Sequence, residues 1–244
     1  TRKTNHRGLQ SIQITDLANY KNMATYDIRP LQLRIKKILL ALDSVCKEHN
    51  LRYYLWAGTM LGAVRHGGFI PWDDDLDIAM PRKDYDLLMR NARDWMPQPY
   101  EIVSHETDPD HYPLPFAKIQ DSSTTLIERM HLSYLGGIYL DLFPLDGMPA
   151  SVLRRRMHFM RYQWYKKMLY YVHRDPYRHG HGPSSWAFLL CRKIYTLQGI
   201  QKTISQIQRA YDYDKCDYCV DHDDGLKGIM PKHLLGEPTP TEFE

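Results

Sequence analysis

Within Gly68-Phe-Ile-Pro-Trp-Asp-Asp-Asp-Leu-Asp77, four carboxylates fall in five positions: Asp73, Asp74, Asp75 and Asp77. Carboxylates this close repel one another, so the run points to a compensating positive charge. A hard divalent cation suits it, since Mg²⁺ takes a few carboxylates, several waters and substrate phosphates. Successive side chains in a strand alternate between faces, so Asp75 and Asp77, two apart, are expected to share one. Asp141, alone between Leu140 and Leu142, is the third candidate ligand, because a bare charge in an apolar strand is costly. A calcium loop is excluded: Asp73, Asp75 and Asp77 fit its first acidic positions, but Ile78 stands where the loop needs Gly and Asp84 where it needs Glu. Taken alone, the run is also compatible with a solvated acidic turn and an Asp141 paired with an arginine.

A second feature precedes the acids. Gly58-Thr59 follows a predicted strand and precedes a predicted short helix. Glycine allows close backbone approach and helix N-terminal amides favour phosphate, so the turn is a candidate phosphate site. Between the two motifs lie Arg65 and His66, and Lys118 falls on a later strand; each can offset phosphate charge. His66 equally suits a loop hydrogen bond, and Arg65 a salt bridge to Asp73 and Asp74.

The elements that must position these residues follow from periodicity. Pro30 starts a helix whose buried face is Leu31, Ile35, Ile38, Leu39, Leu42, Val45 and Cys46. Strands are expected at 51–56, 76–80, 102–103 and 138–143, and at 116–120 and 124–128 around an Asp121-Ser-Ser turn. Arg65 to Gly68 reads as a loop, and Pro81 opens a helix to about Met96. Beyond Pro149 the pattern becomes helical, over 152–173 and 184–210, and the chain ends in a proline-containing tail. The expected organisation is a catalytic core at 27–149, a helical part of the same unit at 150–235, and irregular termini at 1–26 and 236–244.

With 244 residues, 43% hydrophobic and 25% charged, the chain has an ordinary globular composition and can bury a core without staples. A net charge of +3 and the lack of a recognised motif argue against nucleic-acid binding. Cys216-Asp-Tyr-Cys219 has zinc-like spacing but lacks a second standard ligand pair, so plain reduced cysteines are expected there, as at Cys46 and Cys191. Low cysteine content, no stretch of ~20 apolar residues and no opening signal peptide give cytoplasmic as the expected location. Between Arg154 and Arg178 eight Lys/Arg and one acid, Asp175, are interleaved with aromatic residues. A core-facing aromatic stripe with a solvated basic face explains this. Docking of an anionic glycan, or peripheral docking on the inner face of a membrane, is the alternative.

The run from Tyr54 to Asp86, YLWAGTMLGAVRHGGFIPWDDDLDIAMPRKDYD, and the later IYLDLFPLDG, Ile138 to Gly147, resemble the two sequence blocks of LicD-type phosphotransferases, the group that includes fukutin-like proteins. The resemblance runs from about Leu31 to Gly147 and more loosely to about Leu235. It implies an α+β fold: a nucleotidyltransferase-like mixed β-sheet flanked by helices, with a C-terminal helical part. It implies Mg²⁺-dependent transfer, by one or two ions with Mn²⁺ as a substitute, of phosphocholine or a similar phosphorylated alcohol. The donor is CDP-linked, the acceptor is a glycan hydroxyl, and CMP is released. Carried over, Asp75, Asp77 and Asp141 are the metal and catalytic acids, and Gly58 and Thr59 the phosphate-side turn. The cysteine pair is too small to stand for the zinc insertion of fukutin-related members. Family chains continue past a tail like this one, so the C-terminal edge of the site is expected to be incomplete. Two other readings stay open, a true nucleotidyltransferase releasing pyrophosphate and an inactive nucleotide- or glycan-binding module.

Overall fold

The computed structural model describes residues 27–126, 136–177 and 181–236. Most of the expected irregular termini, and the end of the strand expected at 124–128, lie outside them. Six helices and a seven-stranded mixed sheet are described, an α+β fold. The helices are α1 (Arg29–Glu48), α2 (Ala57–His66), α3 (Arg82–Trp95), α4 (Val152–His173), α5 (Pro183–Ile194) and α6 (Leu197–Gln208). The strands are β1 (Tyr54–Leu55), β2 (Asp77–Pro81), β3 (Tyr100–Val103), β4 (Ala117–Leu126), β5 (Gly136–Met148), β6 (Tyr218–Asp221) and β7 (Met230–Pro231).

The sheet runs β1-β2-β5-β4-β3, with β6 pairing both β5 and β7; only β2 and β5 are parallel. The long β5 organises it. β4 follows β5 as far as Leu142, and β6 takes it up from Leu145. Side-chain alternation splits the sheet into two faces. Leu76, Ile78, Met80, Ala117, Ile119, Leu140 and Leu142 pack with the apolar stripes of α1 and α3. The alternate residues Ala79, Phe116, Phe143, Leu145 and Cys219 form a smaller core with Trp56 and Tyr213. A third core, between α4, α5, α6 and the β5–β6 ends, includes Met148, Phe159, Tyr162, Ile204 and Val220.

Several elements differ from the sequence expectation. The strand expected over 51–56 is only Tyr54–Leu55, because Leu51 turns back to donate its N–H to the Cys46 carbonyl after Asn50 takes a φ of 54°. Gly58-Thr59 is not a turn before a helix but the first turn of α2: the reversal falls one residue earlier, at Ala57, whose φ is 43°. Such a conformation is strained for a residue with a Cβ. Arg65 and His66 are the last helical residues rather than loop, and left-handed Gly67 ends the helix. The two strands expected around Asp121 are one strand with an irregular register, since the Asp121 carboxylate accepts from the Ser123 N–H and keeps the turn local. The helix expected over 184–210 breaks at Tyr195-Thr196, where the Thr196 hydroxyl caps α6 by accepting from the Gly199 N–H. β6 and β7 were not foreseen; they bring residues of the C-terminal part into the sheet.

Candidate active site

The register of three adjacent strands creates the centre of the site. Asp77 of β2 lies opposite Asp141 of β5, and Lys118 of β4 lies opposite the same Asp141. Directly paired residues point to one face, so acid, acid and lysine form a row on the face of Ala79 and Phe143. Lys118 is 2% exposed; its Nζ lies 3.5 Å from Asp141 Oδ1 and 3.2 Å from the centre of the Tyr139 ring.

Asp75 does not sit on β2, which begins at Asp77, so the shared-face argument for this pair fails. The reason is local: the Asp77 carbonyl accepts from the Trp56 N–H and the Asp77 N–H donates to Thr59 Oγ1 (2.8 Å), so the start of α2 closes the ladder there. Thr59 therefore positions Asp77 directly. Asp75 lies in the extended approach with Asp73 and Asp74, and a carboxylate oxygen of each lies within 4.8 Å of the others. Gly58 makes room for this approach, as a Cβ there would stand 3.3 Å from Asp73 Oδ2. Gly62 is more constrained still, since a Cβ would meet the Gly68 carbonyl oxygen at 2.5 Å and the Ile70 nitrogen at 3.0 Å.

The electrostatics of the cluster bear on what it can hold. Burial, then Asp75, Asp141, Asp73 and Asp224, push the Asp77 carboxyl up to about 7. Burial, then Asp73 and Asp74, also raise Asp75. Acids that raise one another in this way gain from a multivalent cation, and an all-oxygen donor set suits Mg²⁺ or Mn²⁺. The residues thus fit a hard divalent ion.

Arg65 and His66 are placed differently. They are exposed at the opposite end of α2 from Gly58 and Thr59, seven residues on, or about 10 Å along the helix. The His66 ring lies edge-on to Trp72 at 6.5 Å, so that helix end stands beside the lead-in to the acids.

Two contributors escaped the sequence reading. Gln32, 2% exposed on α1, donates through Nε2 to the Ile70 (3.1 Å) and Asp73 (2.9 Å) carbonyls and ties down the acidic segment. The only available signal was a polar residue next to an apolar helical stripe. Asp224 acts on Asp77 because β6 runs antiparallel to β5, Asp221 opposite Leu145, so the chain that follows heads back toward Asp141. Its signal was a second acidic run, Asp221-His-Asp-Asp224, behind an apolar strand. A cleft of about 600 Å³ lies beside this run, lined among others by Phe116, Lys166, Tyr170, His173, Arg174 and Asp223. Lys166 and Asp223 are paired across it.

Among the described residues the cysteine pair carries no such cluster. All four cysteines are free; Cys219 is buried in the smaller core, and His222 packs against His158 instead.

An α+β domain with a carboxylate cluster at the head of a parallel strand pair defines the class. The chain belongs to the LicD/FKTN/FKRP family, whose nucleotidyltransferase-domain model matches residues 50–179. Among named relatives, it is 28% identical over 236 residues to the lipopolysaccharide cholinephosphotransferase LicD of Haemophilus influenzae, covering 91% of this chain and 84% of that protein. It is 45% identical over 40 residues to the human ribitol 5-phosphate transferase FKRP, a match that spans 16% of this chain and 8% of that protein. No helix of the described residues is long and apolar enough to cross a membrane.

Proposed function

We propose that this chain transfers a phosphorylated alcohol, phosphocholine or a similar group, from a CDP-linked donor to a hydroxyl of a glycan, lipopolysaccharide or teichoic-acid-type acceptor, releasing CMP. The observation that carries this reading is the Asp77–Asp141–Lys118 row beside Asp73, Asp74 and Asp75. Two acids suited to a cation share one sheet face with a lysine, and three more carboxylates stand in the lead-in, which supports this reading. The named activities of the relatives supply the reaction class, and a nucleotidyltransferase-like fold is part of the proposal.

Asp75, Asp77 and Asp141 would hold one or two Mg²⁺ ions, with Mn²⁺ as a substitute and Asp73 and Asp74 close by. When bound, the ion supplies positive charge against the donor pyrophosphate. The chain's own residues do the rest. First-turn amides at Gly58 and Thr59 face outward from the helix start and suit donor phosphate oxygens. Lys118 offsets charge on the phosphoryl group in transit. Arg65 and His66 would meet the substrate at its outer edge. The acceptor oxygen forms its bond to the phosphorus remote from cytidine as the bond from that phosphorus to CMP breaks, and the hydroxyl proton is given up. Asp141 can accept that proton, but a carboxylate beside a cation is a weak base, so its metal-holding role comes first. Positioning and electrostatics account for most of the work.

The test is incubation with a panel of CDP-alcohols and Mg²⁺, reading CMP release. CMP with transfer of the alcohol phosphate supports the proposal. Pyrophosphate release from a nucleoside triphosphate would replace it with nucleotidyl transfer. CDP-donor binding that Mg²⁺ fails to tighten, with no turnover, would mark a binding module.

A further inference from the structure

We propose that α4 docks the protein on an anionic phospholipid bilayer through its outward face. Most surface helices are apolar on the core side and polar outside. On α4 the core side carries His158, Phe159, Tyr162 and Leu169, all buried. The opposite side carries Leu153, Met157, Met160 and Trp164, which are 68, 61, 72 and 54% exposed. At 3.6 residues per turn these four fall within a narrow stripe along three turns of helix. Exposed Arg156 and Lys167 flank it on one side and exposed Arg154 and Arg161 on the other.

The charge pattern selects the occupant. The 22 residues of α4 contain no Asp or Glu, so nothing on the helix opposes an anionic surface. Long basic side chains can lay their stems along the stripe edge and reach headgroups, while a tryptophan suits the interface between headgroups and chains. The neighbouring α5 extends the theme. It packs on α4 through Cys191 and Phe188 and exposes Trp186, Leu190 and Ile194 at helical spacing, with Lys193 exposed among them. A stripe flanked along its helix by one sign fits a bilayer of the other sign. None of these side chains belongs to the acidic site, so the proposal stands whether or not the transfer reaction does.

The experiment is co-sedimentation of the full chain with phosphatidylcholine vesicles, with and without phosphatidylglycerol. Binding is expected only to the phosphatidylglycerol-containing vesicles and should weaken as salt rises. Arg156→Glu/Arg161→Glu should weaken it at least about tenfold. Met160→Glu/Trp164→Glu should do the same with the melting transition unchanged. Chain-brominated phospholipid should quench tryptophan emission, less so in Trp164→Phe. Equal binding to both vesicle types, or no binding, would overturn the proposal. So would a concentration-dependent dimer lost in Met160→Glu/Trp164→Glu, which would assign the stripe to a second copy of the chain.

Discussion

Asp77 is the most informative single residue. Its carboxyl, pushed up to about 7 by burial and the surrounding acids, holds a proton in the folded chain at pH values where the unfolded chain has lost it. The contribution to metal-free stability is therefore fully present below about pH 4 and disappears as pH rises through about 7. Asp77→Asn should abolish turnover yet stabilise the metal-free protein at pH 8, by on the order of 1–2 kcal/mol once solvent screening is allowed for. Mg²⁺ should raise the melting temperature of the wild type at pH 8 and leave that of Asp77→Asn nearly unchanged. Equal Mg²⁺ shifts in both proteins would remove Asp77 from the ligand set. Of the candidates read from residue types, Asp77, Asp141 and Lys118 are brought into one row, Thr59 accepts from the Asp77 N–H, Gly58 leaves room beside Asp73, Asp75 lies in the acidic lead-in, and Arg65 and His66 stand at the other end of a helix.

At the scale of elements, the acidic segment is held from two sides, by Gln32 on α1 and by the glycine face of α2. Gln32→Leu leaves two carbonyls without their donor, and Gly62→Ala drives a methyl into the Gly68 carbonyl. Each should lower kcat by roughly 10–100-fold, the usual effect of losing a group that orients metal ligands, with a smaller change in melting temperature. Unchanged kcat in both would mean that the segment is positioned by other contacts. A second joint ties α3 to β5 and β6. Arg82 donates to both oxygens of buried Asp146 at 2.7 Å, and His222 lies 3.3 Å from the same carboxylate and 2.8 Å from His158. Burial alone would raise the Asp146 carboxyl; Arg82 outweighs it, with His222 adding, and holds the carboxyl below its usual range. Stability from this group is present above about pH 4 and is lost as pH falls further, through the depressed folded value. Asp146→Ala removes the bidentate partner of buried Arg82, leaving it the looser contact to Asp86 (3.7 Å), and should cost about 3 kcal/mol in denaturant unfolding at pH 7, the low end for breaking a buried pair. A loss under about 1 kcal/mol would show that water reaches Arg82 in the variant.

For the whole molecule, the sheet ties the first α/β part of the described chain to the helical part that follows. β6 pairs with the C-terminal end of β5, and Tyr213 and Cys219 complete the smaller core on the same sheet face as the active row. A chain cut after Ala150 would lose both, together with Asp224. That fragment should aggregate or lack a cooperative melting transition, whereas a chain retaining residues through Gly236 should melt in one step. A soluble, cooperatively folding fragment ending at Ala150 would show that the first part carries its own core. The same economy explains the helices: α4 and α6 bury one face against β5 and β6, and the outward stripe of α4 is left to whatever surface the molecule meets.

Sequence alone specified α1, whose 3.6-residue apolar stripe is clear, and the residue types of the site. Those depend on local spacing and on the cost of crowding like charges, which any chain order displays. It could not determine the row Asp77–Asp141–Lys118, because strand register is set by pairing between segments distant in sequence. For the same reason Asp75 looked like a strand residue until the start of α2 took the hydrogen bonds at Asp77. Gln32 and Asp224 were hidden as well, one a polar residue beside an apolar helical stripe, the other beyond a short strand that only pairing with β5 defines. Which carboxylates share a face, and what stands against them, was decided by the tertiary structure alone.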